Sequence, residues 1–422
     1  HVIVVDLLLR PPPHQRVPTR AVSMSTEGCV DTRGELPKIT KGKINEMIAS
    51  WTAQTSEPFI SFEYFPPKTD DGVAKLHKTI AQMATQEPLF MDFTWGAGGA
   101  TSTLTLALST ESQKQHDVMV NMHLTCTNQD KELCDAGLNG AKAGGIKNIV
   151  ALRGDPPKGQ ERWEVTEGGF ACALDLVKYI KANHGDFFSI QVAGYPEGHP
   201  DRITKVADLG RPMSAAEAAR VVDVDGELHV CSDEDFVKEM AYLKEKCDAG
   251  GDVIITQLFY DFDVFKTFVA ECRKLGIKAD ILPGIMPLNA YGGFKRMTGF
   301  CKTRIPPAMA AKIESLKGDD QKADFLEFGL QYITTLCQQL VASKLVSGLH
   351  FYALNQAERT YQILKRLGYL QDPTKPRLPA KVDTRGEQLD VVLELLAHIE
   401  AKGGNAADMG RVLQAATAAK GM

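Results

Sequence analysis

Eight short runs of β-forming residues, each followed by a helix-patterned stretch, restrict this chain more than anything else in it. The runs are 59–64, 90–95, 118–126, 146–153, 187–195, 253–260, 279–285 and 346–354. Helical patterns fill 72–85, 101–115, 129–143, 169–183, 236–249, 264–275, a long region 292–343, and 356–366. Strands that alternate with helices run parallel, because each helix carries the chain back to the start of the next strand. Apolar runs such as Ile254-Ile255 suit strands covered on both faces. The pattern predicts an α/β chain folded as a (β/α)8 TIM barrel, with an N-terminal helix carrying Ile44, Met47, Ile48 and Trp51 at helical spacing. A doubly wound open sheet is the alternative, but no Gly-x-Gly-x-x-Gly follows an early strand.

The barrel is expected over 39–370. Residues 1–38 read as a disordered or non-native extension, with Pro11-Pro12-Pro13 interrupting any helix and Met24 as the natural start. Arg10, Arg16 and Arg20 raise a mitochondrial transit peptide as the alternative to a cytoplasmic location. An insertion at about 199–235 is expected as a surface excursion or a lid, with a helical piece over 214–222 and a charged turn at 223–227. Residues 371–422 read as a C-terminal helical extension, with helices near 386–401 and 406–420. A net charge of -5 gives no reason to expect nucleic acid or an anionic membrane as partner. No apolar run approaches the roughly 18 residues of a membrane helix. Nine scattered cysteines without a Cys-x-x-Cys pair argue for reduced thiols, and against a disulfide framework or a zinc site.

Active sites of such barrels lie at the C-terminal ends of the strands. The first run, Phe59 to Tyr64, stops at Pro66-Pro67 and leaves Glu63 at that end. Flanked by Phe62, Tyr64 and Phe65, this carboxyl is expected to lose hydration, hold its proton to higher pH and serve as a general acid. The other ends deliver Thr94-Trp95, His123, Arg153-Gly154-Asp155, Tyr195 with His199, Gln257, Tyr291, and Tyr352 with Asn355. Aromatics with amides and carboxylates suit a flat heteroaromatic ligand. No cluster along the chain has metal-ligand spacing, so no metal is expected, and His123, His199 and His350 are read as structural. No lysine stands in the ring for a Schiff base. The Gly96-Ala97-Gly98-Gly99 loop is read either as an anion contact or as a tight turn.

Several motifs stand in register with one family. They are Ser61 to Pro67, Asp92 to Gly96, His123 to Cys126, Leu152 to Pro156, Ala193 to Pro196, Ile255 to Gln257 and Gly348 to Asn355. On these the chain resembles methylenetetrahydrofolate reductase from about Pro58 to Gly368. The resemblance implies non-covalent FAD, reduced by NADPH or NADH, with NADPH favoured. The flavin then reduces 5,10-methylenetetrahydrofolate to 5-methyltetrahydrofolate in a ping-pong scheme that supplies methyl groups for methionine synthesis. It implies that Glu63 is the general acid at folate N10 and that Asp155 tunes the flavin and faces the pterin. Gln257, Tyr291, Tyr352 and Gln356 would meet substrate. Thr94, Trp95, His123, Arg153, Gly154, Asp155, Cys172, Ala173, Tyr195, His199, Glu239 and Lys246 would hold FAD.

Three positions depart from the family pattern: Cys172 for Tyr, Glu239 for Asp and Gln356 for Arg. The resemblance is to a barrel-only form, with too little chain after the barrel for the S-adenosylmethionine domain of animal and fungal relatives. Inhibition by that ligand is therefore not expected. A homo-oligomer is compatible with the sequence. Two rivals fit the residues alone: another flavin or pterin barrel enzyme (a proline-dehydrogenase-like oxidase or a folate-dependent methyltransferase), and a non-catalytic flavin sensor.

Overall fold

A computed structural model describes residues 32–33, 36–95, 102–156 and 163–370. The parallel strands follow one another around a barrel: β1 (Phe59–Tyr64), β2 (Phe90–Phe93), β3 (Met119–Thr125), β4 (Asn148–Leu152) and β5 (Ser189–Gly194). After the insertion come β9 (Gly251–Thr256), β10 (Asp280–Leu282), β11 (Gly284–Ile285) and β12 (Gly348–Tyr352), and β12 pairs back onto β1. The expected (β/α)8 barrel is present, with one difference. Its seventh strand is two segments, because Pro283 has no N–H to give the ladder. β10 pairs with β9 and β11 with β12, so the barrel closes across that break. Tyr352 Oη donates to Thr256 O at 2.5 Å, and Gly284 N donates to Thr256 Oγ1 at 3.0 Å, stitching the seam.

The helices around the barrel are α2 (Asp70–Ala84), α3 (Ser102–His116), α4 (Lys131–Ala143), α5 (Ala173–His184), α7 (Asp233–Asp248) and α8 (Phe262–Lys274). The long region after strand seven divides into α9 (Tyr291–Cys301), α10 (Pro307–Glu314) and α11 (Lys322–Ser343), and α12 (Ala357–Leu367) follows β12.

Side chains alternate across a strand. In β1, Phe59 joins an interior cluster with Phe90, Met119, Val150 and Leu282. Ile60, Phe62 and Tyr64 join the outer core, with Ile80 and Met83 of α2. Ser61 and Glu63 share the parity of Phe59 and therefore face inward. The helix expected ahead of β1 is α1 (Ile44–Gln54), and its Ile44, Met47, Ile48 and Trp51 are buried against the interior cluster, closing the lower end of the barrel. Asn148, at the start of β4, accepts from Ile44 N at 2.8 Å, and Trp51 Nε1 donates to Glu57 O at 2.7 Å. At the same end Thr32 N donates to Gly368 O at 2.7 Å, while Arg33 donates to Pro58 O at 3.1 Å and lies over the Tyr369 ring.

The insertion differs from its expected content. Beyond α6 (Ala215–Ala219) it holds a three-stranded antiparallel sheet of β6 (Ile203–Lys205), β7 (Val222–Val224) and β8 (Glu227–Cys231). The helix stops sooner than the sequence predicts because Val222 starts a hairpin. The two turn residues, Asp225 and Gly226, both have positive φ (54° and 87°), the turn that Asp-Gly favours. Glu217 fastens the unit. It pairs with Arg211, completes a capping box with Ser214, and accepts from Asp233 N at 2.8 Å at the head of α7. These bonds hold its carboxyl down to about 2. The extension before residue 32, the Gly96–Gly99 loop and the helices expected after 371 lie outside the described residues.

Candidate active site

Glu63 stands at the upper end of β1, in register with Asp92 of β2. Its side chain is 15% exposed, while Asp92 and His350 are fully buried. Glu63 Oε2 lies 3.5 Å from His123 Nε2 and 3.9 Å from His350 Nε2. Asp92 Oδ2 lies 3.1 Å from the same His123 nitrogen and 3.9 Å from that of His350. Asn121 Nδ2 also donates to Asp92 Oδ2, at 3.1 Å, and Ser61 Oγ is 2.9 Å from His350 Nδ1. The expectation that Phe62 and Tyr64 strip water from Glu63 is corrected by strand parity, since both rings face the helices. The neighbours of Glu63 in space are imidazoles and a second carboxylate.

The expectation that no cluster has a metal-ligand arrangement was read along the chain. Closure of the barrel brings ligand atoms of Glu63, Asp92 and His123 within 4.8 Å of one another. Sequence reasoning missed Asp92 as a partner of Glu63 and did not place His350 beside it. The available signal was an acid in mid-strand: Phe90-Met91-Asp92-Phe93 puts a carboxylate among buried apolar residues, which needs partners.

A second group of polar residues lines the rim from β3 to β5. Arg153 pairs with Asp201 at 2.7 Å and lies over the Trp163 ring at 5.3 Å. Gly154 follows with φ 87°, and a Cβ there would collide with Thr127 Oγ1, which itself donates to Asp155 O at 2.9 Å. Tyr195 and His199 sit with ring centroids 4.6 Å apart. Burial, helped by the Arg153 charge, pushes His199 down to about 2, so the imidazole is neutral, and its Nδ1 accepts from Asp201 N at 3.1 Å. On α7, Glu239 and Lys246 occupy one buried face, as their spacing of seven predicts. Burial raises the Glu239 carboxyl and lowers the Lys246 ammonium, and the charge of each opposes the shift of the other. Lys246 Nζ donates to Ala193 O at 2.7 Å, and Glu239 accepts from Arg202 Nε at 3.0 Å. Cys172 is the N-cap of α5, just before buried Ala173, and makes no side-chain cap bond.

Other expected residues have different surroundings. Thr94 is buried, and its carbonyl accepts from Thr105 Oγ1 at 3.0 Å. The Trp95 ring is buried against Gly137 of α4, behind the strand. Gln257 is 9% exposed, and its Oε1 accepts from Leu258 N. The Tyr291 hydroxyl donates to Glu314 at 2.8 Å. The Tyr352 hydroxyl is spent on the seam described above. Gln356 is exposed at the head of α12. Its neighbour Asn355 bonds Phe65 N and Phe65 O at 3.0 and 2.8 Å, fixing the chain just beyond Glu63.

Comparison with known proteins decides among the barrel enzymes. The family model described as methylenetetrahydrofolate reductase matches residues 48–368. The chain belongs to the methylenetetrahydrofolate reductase family. It is 44% identical over 330 residues to "Methylenetetrahydrofolate reductase (NADH) 1" of Arabidopsis thaliana, covering 78% of this chain and 51% of that protein. It is 32% identical to "Probable methylenetetrahydrofolate reductase (NADPH)" of Caenorhabditis elegans, covering 74% of this chain and 42% of that one. A bacterial member, the "5,10-methylenetetrahydrofolate reductase" of Pectobacterium carotovorum, is 29% identical over 74% of this chain and 91% of its own length. The chain spans about half the length of the eukaryotic reductases it matches. The stretch that the family model matches includes every described barrel strand and both polar groups of the rim.

Proposed function

We propose that this chain reduces 5,10-methylenetetrahydrofolate to 5-methyltetrahydrofolate, with FAD as bound cofactor and NADH or NADPH as electron donor. The observation that carries this reading is Glu63, a partly exposed carboxyl at the barrel mouth held among Asp92, His123 and His350, in a chain of this family.

The residues present fit a flavin. The rim offers Arg153 for a diphosphate, a glycine at 154 that allows close approach, and the rings of Tyr195 and His199. Two buried polar atoms on the β3 side, Thr125 Oγ1 and Gln129 Nε2, have no hydrogen-bond partner among the described residues, and a polar ring would supply one. Bound FAD would supply hydride relay between the nicotinamide and the folate. The chain's own part is proton delivery and positioning. Glu63 would donate to N10 of the folate as its five-membered ring opens. Asp155 and Gln257 would meet the pterin, with Tyr291 and Gln356 further out along the substrate. The neutral His199 offers a ring nitrogen without adding charge beside Arg153.

Whether the donor is NADH or NADPH separates relatives of this chain: the plant proteins carry NADH in their names and the worm protein NADPH. The sequence leans to NADPH, and the 44% identity lies with the plant proteins. One anaerobic cycle tests the whole reading. The purified protein should be yellow, bleach on addition of NADH or NADPH, and regain its colour with methylenetetrahydrofolate. Bleaching without folate-dependent recovery would leave a flavin sensor or another oxidoreductase. The ratio of the two bleaching rates identifies the donor.

A further inference from the structure

Glu63 and the three side chains around it have a property that proton delivery does not require. Two carboxylate oxygens and two imidazole nitrogens converge from β1, β2, β3 and β12, with separations of 3.1, 3.5, 3.9 and 3.9 Å between each nitrogen and each oxygen. Zinc bonds of about 2.0–2.2 Å in a tetrahedron put neighbouring ligand atoms roughly 3.3–3.6 Å apart. These four edges run from just below to just above that range; Glu63, Asp92 and His123 have ligand atoms all within 4.8 Å of one another, and His350 stands at the far side of both carboxylates. Mixed imidazole and carboxylate sets suit zinc and its neighbours among the divalent transition metals, not magnesium or calcium.

An independent observation points the same way. His350 is fully buried, and its Nε2 makes no hydrogen bond among the described residues, yet it is aimed between the two carboxylates. Its ring is fixed. Ser61 Oγ engages Nδ1 at 2.9 Å, and the face stacks on Phe90 with centroids 5.9 Å apart and planes 19° from parallel. A hydrogen-bond partner on the far nitrogen fixes the ring of a ligating histidine, and Asn121 braces Asp92. Asp92 Oδ1 also has no partner among the described residues. Glu63, exposed toward the mouth, leaves a path for entry.

We infer that Glu63, Asp92, His123 and His350 form a site for a zinc-class divalent cation, bound by the carboxylate oxygens and imidazole nitrogens that face one another there. A ligating carboxylate or imidazole nitrogen must be unprotonated, so any proton it carries leaves to solvent on binding. The consequence for turnover rests on the proposed function. A cation on Glu63 Oε2 leaves no proton for folate N10, so the folate half-reaction stops while flavin reduction by nicotinamide continues. The ion would thus act as an inhibitor at the acid, not as a catalyst.

Equilibrium dialysis of the purified full chain against zinc chloride tests the site directly and needs no turnover, so its failure is distinct from failure of the functional reading. Wild type should hold one zinc that His350→Phe loses and that Ser61→Ala binds roughly 10-fold more weakly. If His350→Phe does not fold, Ser61→Ala carries the test alone. Zinc bound equally by wild type, Ser61→Ala and, where it folds, His350→Phe would place the ion elsewhere and overturn the inference, as would no binding at all. Where zinc binds as expected, it should slow flavin reoxidation by methylenetetrahydrofolate and leave bleaching by NADH or NADPH within about two-fold. Equal slowing of both would overturn the assignment to Glu63.

Discussion

The carboxyl of Glu63 was legible in the sequence as a strand-end acid, but its surroundings were not. Neighbours along a strand lie on opposite faces, so the aromatics on either side of Glu63 are those least able to touch it. The residues that do touch it come from three other strands, at positions 92, 123 and 350, and only barrel closure brings them together. Glu63→Gln keeps the shape and removes the proton. Under the proposed function, rapid-mixing traces should show flavin bleaching close to wild type and folate-dependent recovery slower by about 10² or more. Equal loss in both phases would make Glu63 a structural residue. The charged pair on α7 was fully legible, because helical spacing alone sets which residues share a face.

Elements carry their own lessons. All eight barrel strands were visible as runs, but the break in the seventh was not, although Pro283 advertised it. Gly284 follows that break where a Cβ would collide with Thr256 O and the Tyr352 ring. Gly284→Ala should therefore cost about 1–3 kcal/mol, read as a lowered urea midpoint at unchanged slope. The hairpin in the insertion was missed because its strands are three and five residues long, too short for a period to show.

The loop entering that insertion contains Glu197, which burial pushes up to about 8, although Arg304 N donates to it at 3.2 Å and the Arg304 charge opposes the shift. Its folded state holds a proton that the unfolded chain gives up above about pH 4.5. Stability therefore falls as pH rises from about 4.5 to about 8, by up to roughly 1.4 kcal/mol per unit from this group. Glu197→Gln keeps the acceptor and cannot ionise. Its melting temperature should match wild type near pH 5 and exceed it at pH 8. The same gain at both values would tie the effect to packing instead.

At the scale of the molecule, the sequence told more about what surrounds the barrel than about what fills it. The lower interior is apolar and closed by α1, a helix outside the eightfold repeat whose buried face was readable from its spacing. Trp51 is 4% exposed there and is held by a bond to Glu57 O. Trp51→Ala should lower stability by about 3–5 kcal/mol, measured by denaturant melts, with the loss shared by the whole barrel because β1 to β5, β9 and β10 all contribute to that cluster. A loss confined to a separate early transition would mean that α1 docks independently.

The contact of Thr32 and Arg33 with residues 368–369 also has a mechanical meaning. Positions 336 residues apart meet at one point, through Thr32 on Gly368 and Arg33 on Tyr369. Tension applied between residues 32 and 370 would load this small clasp first, and the strand ladders would stay out of the force path until it opened. Pulling from those two points should give a weak early release with little gain in length, followed by one large rip. Arg33→Ala should lower the force of the first event, leaving only the Thr32 bonds to Gly368, and keep the second at its original force.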